Sequence, residues 1–360
     1  MRRAEPPVAA PLRLRGVVFE ATARCNLRCL YCYNPHKAPG GPAPASEGYR
    51  RARRTLERLF EVAECDCVTM SGGEPFLAER FPELALFCRM RGKRVVVISN
   101  GAAAEADAYR MLIDVGVVTY ELPLHADRAD EHDAMVGREG TWARVRRSID
   151  VVLGAGGSVI PVVVVTRMNA GRVAGTLRLF RDLGLRRVML NRFNVGGAGV
   201  ANAESLALPH DQLRSVFREA DDLARRYGLT ISSNVCTPVC VLDPKAHSRI
   251  RFAACAPDPS RKPLTLDAEG NLRVCNHSPR RLGNIFTDEL GAILKGEGAT
   301  RWETLRPPRC AECARWPECY GGCRAASEQL GRDLDCADPI LDGAAGGAPN
   351  LEWTAATCSR

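Results

Sequence analysis

Sixteen cysteines in 360 residues need a chemical use. The chain opens Met1-Arg2-Arg3-Ala4-Glu5-Pro6-Pro7, with no apolar stretch behind the two arginines, so an exported, disulfide-framed protein is not expected. Metal ligation or redox chemistry remains, and spacing decides between them. Cys25, Cys29 and Cys32 crowd into Cys25-Asn26-Leu27-Arg28-Cys29-Leu30-Tyr31-Cys32. A closed 4Fe–4S cube takes four thiolates. Three thiolates with no fourth Cys nearby would leave one iron open, the property that separates catalytic from structural metal sites. A zinc ion would want a fourth ligand, for which His36 is close enough in sequence. Zinc explains neither the position of the loop after a strand nor the segment that follows the next strand.

That segment is Ser71-Gly72-Gly73-Glu74-Pro75. Its two glycines would let a ligand approach the backbone, and Glu74 offers a carboxylate for an ammonium group. Both motifs sit on a repeating frame. Apolar runs at 16–22, 67–71, 94–99, 117–124, 158–166 and 187–193 alternate with amphipathic stretches at 47–64, 80–91, 105–115, 142–154 and 170–184. Strand and helix in alternation imply parallel strands with right-handed crossovers, whose ligands bind at the C-terminal strand ends. Six such units make either a doubly wound sheet or an incomplete barrel, and periodicity does not choose between them.

The two motifs together resemble the radical S-adenosylmethionine (SAM) superfamily. The resemblance implies an α/β fold, a partial (β/α)6 TIM-type barrel. It also implies a 4Fe–4S cluster on Cys25, Cys29 and Cys32 whose open iron chelates SAM. By the same resemblance Gly72, Gly73, Glu74 and Pro75 bind the methionine end, and Tyr31 lies by the adenine. Ser99 and Asn100, after the third strand, resemble a further SAM-contacting segment. The stretch from His132 to Trp142 also has the family's look.

A second set runs Cys255, Cys275, Cys310, Cys313, Cys319, Cys323 and Cys336, with Gly270 ahead of Cys275. Here Cys, Pro and Gly dominate and apolar runs are short, so a small metal-dependent unit with little core is expected. This pattern resembles the SPASM domain, the C-terminal extension of radical SAM enzymes that modify peptides. The resemblance implies two auxiliary 4Fe–4S clusters, hence three in all. The outer one falls on Cys310, Cys313, Cys319 and Cys336, the inner one on Cys255, Cys275 and Cys323. The inner cluster then has an open iron, or takes Asp258, Cys236 or Cys240 as fourth ligand. Cys236 and Cys240 also read as ordinary buried cysteines, and Pro238 between them argues against a regular helix. Cys65, Cys67 and Cys88 read as core, and Cys358 as a tail thiol.

The expected organisation is a disordered N-terminus (1–11), the barrel (12–205), a helical bridge (206–250), the SPASM unit (251–341) and a flexible tail (342–360). The resemblance implies reductive cleavage of SAM to a 5′-deoxyadenosyl radical and an oxidative outcome, dehydrogenation or a C–S, C–C or C–O crosslink. The substrate class implied is a ribosomally made peptide, the alternative a small molecule of cofactor or natural-product synthesis. The barrel begins near residue 15, so peptide recognition is expected from a separate protein or short contacts. Oxygen-sensitive clusters imply a reducing cytoplasm and a flavodoxin or ferredoxin electron donor. A net charge of +8 is spread along the chain, and no nucleic-acid or membrane partner is expected.

Overall fold

A computed structural model describes residues 11–41, 48–255 and 263–343. Most of the expected disordered N-terminus and tail, with Cys358, and the segment carrying Asp258, lie outside the described residues. The strands are β1 (Leu12–Leu14), β2 (Val17–Thr22), β3 (Ala63–Cys65), β4 (Cys67–Gly72), β5 (Arg94–Ile98), β6 (Thr119–Pro123), β7 (Ser158–Val165), β8 (Arg187–Arg192), β9 (Thr230–Ser233), β10 (Ile250–Phe252), β11 (Leu264–Asp267), β12 (Asn271–Arg273) and β13 (Arg281–Asn284). Eleven of them form one sheet in the order β10-β9-β8-β7-β6-β5-β4-β2-β11-β12-β13.

All neighbouring strands from β2 through β10 pair in parallel. The six expected strands are β2, β4, β5, β6, β7 and β8. The strand order is linear and β8 pairs with β9, so the barrel stays open. Each strand alternates between its faces. In β6, Tyr120 and Leu122 are buried under the helices, where Tyr120 meets Tyr109 edge-on. Thr119, Glu121 and Pro123 therefore face the lumen.

The covering helices are α1 (Tyr49–Val62), α2 (Phe81–Met90), α3 (Ala106–Asp114), α4 (Ala129–Val136), α5 (Thr141–Gly154) and α6 (Val173–Asp182). In α6, Val173, Thr176, Leu177 and Phe180 recur at helical spacing and are its buried face. Helix α4 has no counterpart among the amphipathic stretches. It is two turns long, and Gly137 stops it at φ 70°.

Residues 206–250 are not a purely helical bridge. After α7 (Ala203–Leu206), α8 (His210–Tyr227) ends at Gly228 in the left-handed conformation, and then β9 and β10 extend the barrel sheet. Three- and four-residue strands are too short to leave a periodic signal. The Cys-rich part is also joined to the sheet, since β11 lies parallel to β2 with Leu264 opposite Val17. Side chains of α1 fasten the seam: Thr55 Oγ1 donates to Ala268 O at 2.8 Å and Arg58 Nε to Ile285 O at 3.1 Å. Beyond it come α9 (Leu290–Lys295), α10 (Glu297–Thr304), α11 (Trp316–Cys319) and α12 (Arg324–Gln329). These elements do enclose a small core, of Val274, Trp302, Ala325, Ala326 and Leu334 packed with Cys255 and Cys323. Among the described residues no helix is long and apolar enough to cross a membrane.

Candidate active site

The loop of Cys25, Cys29 and Cys32 leaves the C-terminal end of β2, and backbone contacts hold it. Arg28 N donates to Val136 O at 3.2 Å and Leu30 N to Met135 O at 3.0 Å, so the end of α4 pins its middle. Gly137 must be glycine there: besides its positive φ, a Cβ would lie 2.8 Å from Arg28 O. Asn100 Nδ2 donates to Asn26 Oδ1 at 2.7 Å and approaches Cys25 Sγ at 3.8 Å. Burial pushes the Cys29 thiol up to about 12 and raises Cys32, and in each case a neighbouring cysteine of the triad adds to the rise. Three thiols that repel one another's charge are a donor set suited to a cationic iron cluster. Among the described residues no three ligating side chains converge on a single ion.

The glycines serve the backbone. A Cβ on Gly72 would lie 2.2 Å from Thr22 O, and one on Gly73 2.2 Å from Arg24 O. Gly73 N donates to Thr22 O and Glu74 N to Arg24 O, both at 2.7 Å. The pair thus lets β4's exit lie against the chain that enters the cysteine loop. Glu74 is wholly buried. Its carboxylate accepts from Phe76 N at 3.2 Å, Ser99 Oγ at 2.9 Å and Asn100 N at 2.6 Å, which ties β4 to β5. Burial raises its pKa to about 7, and the three donors hold it down. Gly72, Gly73 and Glu74 thus brace the ends of the neighbouring strands to one another. Pro75 opens the short turn after Glu74.

Tyr31 points at His125, another buried residue without a sequence signal. His125 Nδ1 accepts from Val164 N at 3.2 Å, so Nε2 carries the proton and donates to Tyr31 Oη at 2.5 Å. The Tyr31 hydroxyl is also close enough to Cys29 to offset part of the rise in that thiol's pKa. Burial depresses His125 well below the usual histidine range, which keeps that tautomer neutral.

Tyr33, the residue after Cys32, links the two cysteine regions. Its ring stacks on His277 at 3.9 Å, and its hydroxyl accepts from Asn276 Nδ2 at 2.7 Å. Gln329 Nε2 donates to both Tyr33 O and His277 O at 2.7 Å, and Gln329 Oε1 accepts from Gly197 N at 2.7 Å. Asn194 Nδ2 lies 2.7 Å from His277 Nδ1 and 3.2 Å from Cys323 Sγ. None of Tyr33, Asn194 and Gln329 belongs to a motif, and long-range packing alone brings them together. Burial raises the Tyr33 pKa, with Cys32, Glu20 and lumen-facing Glu121 adding to the rise, and burial pushes Glu121 itself up to about 7.

The second cysteine set divides in two. Cys255 and Cys275 are electrostatic neighbours of Cys323, whose thiol burial pushes up to about 12. Cys310 feels Cys319, Cys313 and Cys240. Cys336 is in a disulfide here, a bond that must be reduced before its sulfur can serve as a thiolate ligand. A buried ion pair, Arg192 with Asp338, ties this part to β8, and Asp338 Oδ2 accepts from Cys323 N at 2.7 Å.

Two family models match the chain: "Radical SAM superfamily" over residues 19–180 and the SPASM "Iron-sulfur cluster-binding domain" over 255–319. The PqqA peptide cyclase of Methylocella silvestris is 25% identical over 338 residues, covering 90% of this chain and 86% of that one. The PqqA peptide cyclase of Xanthomonas euvesicatoria pv. vesicatoria is 26% identical over 352 residues, covering 95% and 89%. Among solved structures, Streptococcus suis SuiB bound to its precursor peptide SuiA superposes with a TM-score of 0.68 at 14% identity, covering 88% of this chain and 72% of that one. The enzyme anSMEcpe with bound AdoMet superposes at 0.66 with 17% identity, covering 89% and 91%. The cysteine loop at the mouth of an open barrel and the Cys-rich extension on its sheet thus have one explanation: the chain belongs to the radical SAM superfamily, in its SPASM subclass.

Proposed function

We propose that this enzyme binds SAM at Cys25, Cys29 and Cys32 and oxidatively crosslinks or dehydrogenates a ribosomally made peptide in the barrel lumen. The observation that carries it is the direct path from Cys32 through the Tyr33–His277 stack to Asn194 and Cys323. A lumen that makes a substrate radical next to a second cysteine site suits net oxidation. Relatives named as peptide cyclases, matched over nine-tenths of the chain, support the peptide.

When bound, the cluster and SAM supply a one-electron cleavage that yields the 5′-deoxyadenosyl radical. The residues of this chain hold and aim that chemistry. Cys25, Cys29 and Cys32 hold the SAM-binding cluster. Gly72, Gly73, Pro75, Ser99 and Asn100 form the strand ends against which SAM lies, and buried Glu74 keeps them in register. Tyr31, fixed by His125, closes the site on its far side. Glu121 is placed to take up the proton that an oxidised substrate gives away, since a carboxyl with a pKa about 7 exchanges protons near neutrality. Cys255, Cys275 and Cys323 hold one auxiliary cluster, and Cys310, Cys313 and Cys319 another, joined by Cys336 once its disulfide is reduced. That makes three 4Fe–4S clusters, dependent on a reducing cytoplasm and a flavodoxin- or ferredoxin-type donor.

The test is anaerobic incubation of the reconstituted, reduced enzyme with SAM and a PqqA-type precursor peptide. Peptide mass falling by two hydrogens, with 5′-deoxyadenosine formed in step, is the expected result. SAM cleavage with the peptide intact would shift the substrate to another class.

A further inference from the structure

The segment Cys236-Thr237-Pro238-Val239-Cys240 lies between β9 and β10 and forms a turn, with Val241 N and Leu242 N both donating to Pro238 O, at 2.9 and 3.1 Å. The turn is seated on Gly322. A Cβ at Gly322 would lie 2.6 Å from both Pro238 Cγ and Asp338 Oδ2, and φ there is +84°, so only glycine fits. Gly322 directly precedes Cys323 and follows Cys319 by three residues, so Pro238 sits where the two SPASM sets meet.

One buried ion pair fixes which way the turn faces. Arg192 Nη2 donates to Cys236 O at 2.9 Å and Nε donates to Thr237 Oγ1 at 3.0 Å. The same guanidinium pairs with Asp338, whose carboxylate accepts from Cys323 N. Cys236 and Cys323 therefore hang from opposite ends of a single clamp. Cys236 packs against the small core that contains Cys255 and Cys323, and Cys275 packs against that core too. Cys240 faces the other way and is exposed, an electrostatic neighbour of Cys319 and Cys313.

We infer that Cys236 supplies the fourth thiolate to the Cys255–Cys275–Cys323 set, so that the protein ligates the inner auxiliary cluster completely. The inference rests on the proposed reading of those three cysteines as cluster ligands. Four thiolates close a cube, where three leave an iron open. A closed inner cluster has no iron for a substrate thiolate. It is suited to accept an electron without bonding to the peptide.

The test uses the full chain reconstituted anaerobically with ⁵⁷Fe, as wild type, Cys236→Ala and Cys236→Ser. Iron content and Mössbauer spectra are measured, and Cys236 labelling by N-ethylmaleimide is mapped before and after iron chelation. For wild type the expected count is roughly 12 irons per chain. Each variant should either lose about four of these or keep a cube with one iron made distinct and open to added cyanide. Cys236 should label only after chelation. Continued 5′-deoxyadenosine formation in the variants shows that the barrel is folded. Wild-type iron and spectra in both variants, or equal labelling of Cys236 with and without iron, would overturn the inference. A wild type holding a single cube would instead remove the cluster reading beneath it, and the inference with it.

Discussion

The two cysteine regions are built on different principles. The triad hangs on regular structure: β2 delivers it, the end of α4 hydrogen-bonds its middle, and the β4 and β5 exits brace it through buried Glu74. The SPASM cysteines sit on short elements, held by side chains at long range, chiefly Arg192, Asp338, Asn194 and Gln329. A hydrophobic sheet core pre-forms the first site. The second has a core in which cysteines themselves are a large part. The lesson is that one region should keep its shape without metal and the other should depend on it.

The strongest way to break that contrast is to take the metal away. Chelation of the reconstituted enzyme should leave the barrel protected and open the part beyond residue 255, because thiolate–metal bonds carry much of such a unit's folding energy. Limited proteolysis reads this, and cuts spread evenly over both halves would contradict it. Next in size, Asp338→Ala leaves Arg192 buried and uncompensated, at about 3–5 kcal/mol. Its thermal transition should fall with loss of auxiliary-cluster iron, while triad iron stays. A variant that loses both together would erase the distinction between the regions.

A smaller effect sharpens the chemistry of the lumen. Because the Glu121 carboxyl is raised to about 7, it is a base only above that pH. Glu121→Gln should slow peptide oxidation by about 100-fold at pH 8 and progressively less as pH falls below 7, where the native group is already protonated. An equal loss at pH 6 and pH 8 would assign Glu121 a binding role. The burial that raises this pKa also means that Glu121 weakens folding as pH rises from its unfolded value through 7. Smallest is Tyr33→Phe, which removes the acceptor of Asn276 but keeps the His277 stack. It should cost about 1 kcal/mol of stability and alter coupling between SAM cleavage and product formation only slightly.

Much of this was legible in the sequence where chemistry is local. The triad, Gly72-Gly73-Glu74 and six strand runs are short-range signals, and the strands fall where the apolar alternation puts them. The reason for the glycines was not legible: they admit the backbone of Thr22 and Arg24, a contact between strands about fifty residues apart. Helix α4 is too short for its periodicity to show, and β9 and β10 are strands only because β8 offers an edge to pair with. Tyr33, Asn194 and Gln329 carry ordinary residue types, and a role at the junction of two sites exists only once the chain is folded. Cys236 could be noticed by its type, but the assignment proposed for it rests on the Arg192–Asp338 clamp and the Gly322 seat, which exist only in the folded chain.

The central claim is that Cys25, Cys29 and Cys32 hold a cluster that splits SAM. The most direct measurement is anaerobic mixing of reduced, reconstituted enzyme with SAM, with quantitation of 5′-deoxyadenosine and methionine, beside Cys29→Ala and Cys310→Ala. The account predicts both products from wild type, background from Cys29→Ala, and at least partial activity from Cys310→Ala. Wild-type enzyme with full iron and no 5′-deoxyadenosine, or a Cys29→Ala variant that still makes it, would contradict the account.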